Sequence, residues 1–283
     1  MNNYAALERT LSLPGWVLIL FLAGCAPAPK AQGSSAQMVA DSSLAAGYLA
    51  KEDLPDSLAL LPPPPASGST ALAHDEEVHK SAATLRDTPR YRLAALDAEL
   101  NFPRAADAFA CTLGVPIDAD HTPRLYRLLQ RTLTDAGRST AGAKNQYIRT
   151  RPFVVHDEPT CAPQDEARLR TNGSYPSGHT AIGWTWALVL AEVDPARADA
   201  ILARGRSFGE SRLVCNVHWQ SDILEGRFIG SAVVSQLHGV AEFRQDVEAA
   251  RKELTAVRAK GLPPARDCAM ETEALKQKIP GVL

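Results

Sequence analysis

The sequence predicts a single all-α domain built as a helical bundle, and three observations support that prediction. The segment 180–193 (TAIGWTWALVLAEV) is apolar on almost every side, which predicts a central buried helix that closes at Asp194-Pro195. No stretch alternates apolar and polar residues over the length of a strand. A leucine stripe with helical spacing follows Pro123, and its members are Leu125, Leu128, Leu129 and Leu133.

The remaining elements follow in order along the chain. Consecutive prolines from Pro62 to Pro65 predict an extended surface segment. Helical patterns run from about residue 75, from Pro195 through PARADAILARGRSFGE, and from His218 to about His238. A charged helix over 241–260 ends at GLPP. The predicted buried side of the helix from His218 consists of Ile223, Phe228, Val233 and Leu237.

The N-terminus has the pattern of an export signal. The apolar run WVLILFLA is much shorter than the roughly 20 residues of a membrane-spanning helix. It ends in Leu-Ala-Gly-Cys25, which resembles a bacterial lipobox and would make Cys25 the lipidated first residue of the mature chain. Ordinary signal cleavage near Ala26 or Ala28 is the alternative. Either reading predicts a periplasmic protein, and lipidation would anchor it to the outer membrane.

Composition shifts divide the chain into four predicted regions. Residues 1–24 are the signal peptide, and 25–47, small, polar and proline-containing, form a flexible linker. Residues 48–260 form the folded domain, and 261–283 form a C-terminal tail. The formal net charge of −2 gives no general attraction to nucleic acid polymers or to an anionic membrane surface. A bound anion must therefore be held by a local cluster of cations.

Four cysteines remain when Cys25 is set aside, an even number that suggests two disulfides in an exported chain. They are Cys111, Cys161, Cys215 and Cys268. Three connectivities are open. One of them, with Cys161 bonded to Cys215, would tie the segment before the PSGH turn to the loop of Arg212. The absence of a CxxC pair makes a zinc site a weak interpretation.

One motif-bearing segment reads Gly-Ser-Tyr-Pro-Ser177-Gly178-His179-Thr. Ser177 is a natural N-cap for the buried helix after it, and Gly178 lets a ligand approach the backbone closely. The free N–H groups of that helix start make an anion site, with His179 beside it. Taken alone, the pattern is equally that of a capped helix with an incidental histidine.

Two further segments carry charged side chains. The first is Lys144-x6-Arg151-Pro, and the second is Ser-Arg212-x5-His218-x3-Asp222. The spacing of His218 and Asp222 places them on one face of a helix. Asp222 would then accept Nδ1–H of the imidazole and leave Nε2 nucleophilic. Individually these are ordinary surface cations and an ordinary i,i+4 pair.

Together the three segments read KxxxxxxRP…PSGH…SRxxxxxHxxxD in order. That pattern resembles the signature of the phosphatidic-acid-phosphatase type 2 and vanadium haloperoxidase superfamily. The longer strings YLAKEDLPDSLALLPPPP, GSYPSGHTAIGW and HWQSD resemble the bacterial class A non-specific acid phosphatases. The resemblance covers about residues 48–245. The lipobox and the tail with Cys268 depart from the usual class A pattern.

The resemblance implies an exported acid phosphatase of broad monoester specificity that needs no cofactor and no metal. Its partners would be small phosphomonoesters, and the class also suggests a homo-oligomer. His218 would form a phosphohistidine, Asp222 would orient it, and His179 would act as the acid. The implied phosphate ligands are Lys144, Arg151, Arg212, Ser177 and Gly178.

Three other functions fit parts of the same pattern. A vanadium-dependent haloperoxidase would use the same oxyanion cage for redox chemistry. A lipid-phosphate phosphatase would place the motif among membrane spans, but no segment after Cys25 is long and apolar enough to be one. A catalytically silent phosphate-binding lipoprotein would need neither an oriented nucleophile nor an acid.

Overall fold

The computed structural model describes residues 45–282, and within that range every regular element is a helix. The all-α prediction is therefore confirmed. The first half of the chain contributes α1 (Ser57–Leu60), α2 (Thr70–Ala83), α3 (Pro89–Leu96), α4 (Ala110–Leu113), α5 (Pro123–Ser139), α6 (Ala141–Tyr147) and α7 (Pro152–Val155). The second half contributes α8 (Glu166–Leu169), α9 (Gly178–Val193), α10 (Ala198–Val214), α11 (Gln220–Leu237), α12 (Ala241–Ala259) and α13 (Cys268–Lys276).

Helix α9 is the centre of the bundle, as its apolar sequence predicts. It packs against α5, α10 and α11, and its Trp186 is fully buried. Glycines let the neighbouring helices approach closely. A Cβ on Gly226 of α11 would lie 2.7 Å from the carbonyl oxygen of Ser177, so α11 runs directly beside the first turn of α9. The starts of these two helices are thereby held together.

The start of α11 differs from the prediction. The helix begins at Gln220, and His218 lies in the extended segment before it, so the prediction that His218 and Asp222 share one helix face was wrong. Asp222 is the third residue of α11, and its carboxylate reaches back to accept the backbone N–H of Trp219 at 2.9 Å. This capping contact brings Asp222 to His218 by another route. Phe228, predicted to be buried, is 51% exposed.

Two disulfides join distant parts of the chain, Cys111–Cys268 and Cys161–Cys215. The structure therefore has the connectivity that ties the segment before the PSGH turn to the segment of Arg212. Residues 261–283, predicted as a tail, include α13, which packs against α3. Its residue Glu271 is buried, and both Arg204 and Arg266 contact its carboxylate. The end of the chain thus closes over α3 and α10.

The predicted signal peptide and the lipidation site Cys25 lie outside the described residues, as does most of the predicted linker. Its last residues, 45–47, are described and lie against α5. Thr134 donates to the carbonyl of Ala45 at 2.8 Å, and Arg131 donates to those of Ala46 and Gly47, each at 3.2 Å. None of the described helices is long and apolar enough to cross a bilayer.

Candidate active site

The site is built around the first turn of α9. Ser177 is buried and caps the helix, because its Oγ accepts the backbone N–H of Thr180 at 3.2 Å. Its own N–H donates to the carbonyl oxygen of Asp222 at 2.9 Å, which joins the starts of α9 and α11. A Cβ on Gly178 would lie 3.7 Å from Cε of Lys144. The lysine therefore lies directly over the helix start, where free N–H groups favour an anion.

Lys144 and Arg151 face the loop that precedes α9. Lys144 Nζ donates to the carbonyls of Gly173 and Ser174 at 2.9 and 3.3 Å. Arg151 Nη1 donates to the carbonyl of Val217 at 2.8 Å and contacts Nε2 of His218 at 3.1 Å. The Nε and Nη2 atoms of Arg151 donate to oxygens of the 169–173 segment. Every hydrogen of this guanidinium thus has an acceptor.

His218 lies between a carboxylate and a cation. Its Nδ1 is 3.2 Å from Oδ2 of Asp222, and the two side chains are 3% and 0% exposed. Because a carboxylate only accepts, the hydrogen sits on Nδ1. The lone pair is therefore on Nε2, where Arg151 donates to it. The imidazole is held as the tautomer that an Nε2 nucleophile requires.

Arg212 is a buried cation of the cluster with unused hydrogen-bonding capacity. It is 2% exposed, and its Nε and Nη1 have no partner among the residues that the structure describes. The carbonyl of Arg212 accepts the N–H of Val217 at 3.2 Å, which places the arginine beside His218 in the fold. Leaving buried donors unsatisfied is costly. These two nitrogens therefore mark where an anion would bind.

His179 completes the cluster from the other side. Its Nε2 lies 3.0 Å from the carbonyl oxygen of Ala98, in the segment after α3. Since a carbonyl can only accept, Nε2 carries a hydrogen and Nδ1 is the atom that gains or loses a proton. The charge of Arg212 lowers the pKa of both His179 and His218. The structure thus brings all eight predicted histidine, aspartate, cation and helix-start residues into one cluster.

Comparisons with known proteins show the family of the chain. Residues 129–245 match the family model described as the PAP2 superfamily. The chain is 42% identical over 212 residues to a non-specific acid phosphatase of Providencia stuartii, an alignment that covers 75% of this chain and 86% of the relative. An acid phosphatase of Zymomonas mobilis is 44% identical over 209 residues, covering 74% and 79%. A Salmonella typhimurium non-specific acid phosphatase is 41% identical over 204 residues, covering 72% and 82%.

The chain belongs to the non-specific acid phosphatases of the PAP2 superfamily. The resemblance expected from the motif is confirmed, and the protein is a phosphatase. Two of the helices that build the acid phosphatase site lie outside the superfamily match, because α2 and α3 precede residue 129.

Burial and an excess of positive charge set the ionisation of the acid phosphatase site. Burial lowers the pKa of Arg212 to about 9 and that of Arg151 to about 10. It also lowers the pKa of Lys144 well below its ordinary range, and the charge of Arg151 adds to that effect. Cations gathered without a matching anion repel one another. A phosphate dianion would relieve that repulsion.

The pKa values of the two histidines are lowered for the same reasons. Burial lowers the pKa of His218 well below 6.5, and the charges of Arg151, Lys144 and Arg212 lower it further. Burial and then Arg212 lower the pKa of His179 well below 6.5. The lowered pKa values favour the neutral form of each ring, and a bound anion would favour the protonated form.

Three further residues, which the sequence motifs did not indicate, contact the acid phosphatase site. Arg149 Nη1 donates to Oδ1 of Asp222 at 2.6 Å, and its Nη2 donates to Asp75 at 2.7 Å. Ala98 supplies the carbonyl that accepts from His179. Arg149 is part of the string RTRP, where a second arginine beside Arg151 was a usable signal. A backbone carbonyl such as that of Ala98 leaves no trace in residue type.

The four cysteines take no direct part in the cluster. The Cys161–Cys215 bond lies next to it, because Cys161 N–H also donates to the carbonyl of Cys215 at 3.3 Å, three residues after Arg212. Within residues 45–282, no group of three or more His, Cys, Asp or Glu side chains has an arrangement that could hold a metal ion.

Proposed function

We propose that this acid phosphatase is exported and hydrolyses phosphate monoesters of broad type through a phosphohistidine at His218, without a metal. The observation that carries the proposal is the pairing of two features at one place. His218 has its Nε2 lone pair fixed by Asp222, and Arg212 has buried donors without partners beside it. The first suits a nucleophile, and the second suits the anion it would attack.

In the first step, a phosphoryl oxygen replaces Nε2 of His218 as the acceptor of the hydrogen bond from Arg151 Nη1. Lys144, Arg212 and the N–H groups at the start of α9 hold the other oxygens. The Nε2 lone pair then forms a bond to phosphorus while the P–O ester bond breaks. Asp222 stabilises the positive charge that develops on the ring through the Nδ1–H contact.

His179 protonates the leaving alcohol in this scheme, through Nδ1, because its Nε2–H is committed to Ala98. Its lowered pKa makes the ring neutral before substrate binds. The two negative charges of the bound phosphate favour the protonated ring and so raise that pKa. Substrate binding would thereby load the acid with its proton.

In the second step, His179 accepts a proton from water through Nδ1 while the water oxygen attacks phosphorus. The bond from phosphorus to Nε2 breaks, inorganic phosphate forms, and His218 returns to its neutral state. Phosphoryl transfer needs mainly positioning and charge stabilisation. Three cations against one dianion supply that charge here, which is the reason for proposing a metal-independent reaction.

Export to the periplasm is part of the same proposal. Two disulfides suit an oxidising compartment, and the lipobox would anchor the enzyme to the outer membrane through Cys25. Small phosphomonoesters would be its substrates. A homo-oligomer is proposed by likeness to the class alone.

The test is hydrolysis of p-nitrophenyl phosphate across acidic and neutral pH, with EDTA present. We expect full activity with EDTA and a loss of at least about 10⁴-fold in His218→Ala. His238→Ala is the matched control, since His238 is an exposed residue paired with Glu192. Loss of activity with EDTA would contradict the proposed metal independence. Near-normal rates in His218→Ala would contradict the assignment of His218 as the nucleophile. Halide oxidation with added vanadate and peroxide, without phosphatase activity, would favour the haloperoxidase.

A further inference from the structure

The Asp222 carboxylate is held by more than the histidine it contacts. It is fully buried, and Oδ2 accepts from His218 Nδ1 at 3.2 Å and from Trp219 N–H at 2.9 Å. The other oxygen, Oδ1, accepts from Arg149 Nη1 at 2.6 Å. Three donors therefore fix the plane of this carboxylate. The shortest of the three bonds comes from Arg149, which is a charged donor.

Arg149 is fixed in turn by a second carboxylate, that of Asp75 on α2. Its Nη2 donates to Oδ2 of Asp75 at 2.7 Å, and its Nη1 donates to Oγ of Ser221 at 2.7 Å. The guanidinium also lies 5.4 Å from the ring centre of Trp219, within the range of a cation–π contact. These contacts allow the arginine one orientation.

Asp75 itself is 1% exposed and binds the first turn of α11. Its Oδ1 accepts the backbone N–H of Ser221 at 2.8 Å, and its Oδ2 accepts the Ser221 hydroxyl at 2.6 Å. Asp75 and Asp222 therefore satisfy N–H groups at the start of the same helix. A chain of contacts runs from Asp75 through Arg149 and Asp222 to His218.

We propose that Arg149, fixed by Asp75, is a positioning residue that sets the orientation of the Asp222 carboxylate and thereby the Nδ1–H tautomer of His218. The proposal rests on the proposed function, because it assigns that tautomer to the nucleophile. Arg149 acts through Asp222, whereas Lys144, Arg151 and Arg212 hold the phosphoryl group. Asp75 precedes the segment that matches the PAP2 superfamily, so this support comes from the N-terminal part of the acid phosphatase domain.

The test compares Arg149→Met, Arg149→Lys and Asp75→Asn with the wild type. We expect kcat to fall about tenfold to a hundredfold in Arg149→Met, the range typical of residues that orient a reacting group. KM and inhibition by inorganic phosphate should change little, because the phosphate-holding cations remain. Arg149→Lys keeps the charge but cannot bridge both carboxylates, so it should show the same fall. Asp75→Asn should lower kcat less, and its effect should largely vanish in the Arg149→Met background.

Two further measurements separate positioning from simple stabilisation. NMR of ¹⁵N-labelled histidine should show His218 as the Nδ1–H tautomer in the wild type and as a mixture in Arg149→Lys. Arg206→Met is the matched control, because Arg206 pairs with Glu210 on the outer side of α10, and it should keep both kcat and the tautomer. A wild-type tautomer and kcat in Arg149→Lys, or a rise in KM alone, would overturn the proposal.

The same variants distinguish this inference from the proposed function. Rapid quenching at alkaline pH measures the rate at which the phosphoenzyme forms. Absence of a phosphoenzyme in the wild type would remove the proposed function itself. A wild-type phosphoenzyme that forms equally fast in Arg149→Met and Arg149→Lys would leave that function intact and remove only the role of Arg149.

Discussion

The two histidines of the site are held by different kinds of partner. His218 contacts through Nδ1 the carboxylate of Asp222, a charged group that also accepts a hydrogen bond from Arg149. His179 rests on the carbonyl of Ala98, which carries no net charge. Both contacts fix a tautomer, but in opposite senses, since the hydrogen is on Nδ1 in His218 and on Nε2 in His179.

The difference matches the two roles that we propose. A nucleophile that gains positive charge during the reaction benefits from a fixed carboxylate behind it. An acid that must gain and lose a proton benefits from a neutral partner, because its pKa is then free to follow the charge of the substrate. Burial and Arg212 lower the pKa of both histidines, and Arg151 and Lys144 lower that of His218 further, so the two rings differ in their nearby cations as well as in their partner.

Removal of His179 tests the role of the histidine whose partner is the uncharged carbonyl of Ala98. In His179→Ala we expect kcat for an alkyl phosphate to fall about 10²- to 10⁴-fold, because the alkoxide leaves without a proton. p-Nitrophenyl phosphate needs no such proton, so its first step should be nearly normal and should give a burst of p-nitrophenol before slow turnover. Stopped-flow absorbance measures the burst. An equal loss for both substrates, without a burst, would contradict the assignment of His179 as the acid.

Removing Arg212 should affect both histidines together. Arg212→Ala removes a buried cation whose Nε and Nη1 have no partner among the described residues, and loss of one such donor typically lowers kcat about 10²- to 10³-fold. Arg206→Ala on the same helix is the control, since its side chain is paired with Glu210. Steady-state kinetics measures both variants. Rates within a few-fold of wild type in Arg212→Ala would show that the phosphate binds elsewhere.

The pH profile tests how nearby cations set the pKa of His218, and here we expect the smallest effect. The lowered pKa of His218 lets the ring stay neutral to lower pH than an ordinary histidine, and activity should fall as the pH drops through that lowered pKa. Lys144→Met removes one of the charges that lower it, so the pKa of His218 rises. The acid limb of kcat/KM should then move to higher pH, by roughly one unit, while Lys252→Met, at an exposed position of α12, leaves it in place. A shift to lower pH, or none, would contradict the electrostatic account.

The sequence was sufficient for the fold class and for the set of residues that meet in the site. The leucine stripe located α5, and the nearly uninterrupted apolar run located α9. The predicted helix start at His218 was wrong. Trp219 is extended and the Asp222 carboxylate caps α11, so two side chains four positions apart meet without sharing a helix face. Spacing alone therefore gave the correct pair of residues for an incorrect reason.

The residues that support the site could not be predicted in the same way. Asp75 is 147 positions away from Asp222 in sequence, and only the packing of α2 against α11 brings them together through Arg149. The carbonyl of Ala98 has no side-chain signature. The choice among the three disulfide connectivities likewise depended on which helices pack together.

We propose above that phosphorus becomes bonded to Nε2 of His218 during turnover. The most direct measurement is rapid alkaline quenching of wild-type enzyme during hydrolysis, followed by peptide mass spectrometry. We expect one phosphorylated peptide, and it should contain His218. Its modification should be stable in alkali, lost in acid and absent from His218→Ala. Phosphate on any other residue, or turnover in His218→Ala at a rate near wild type, would contradict it.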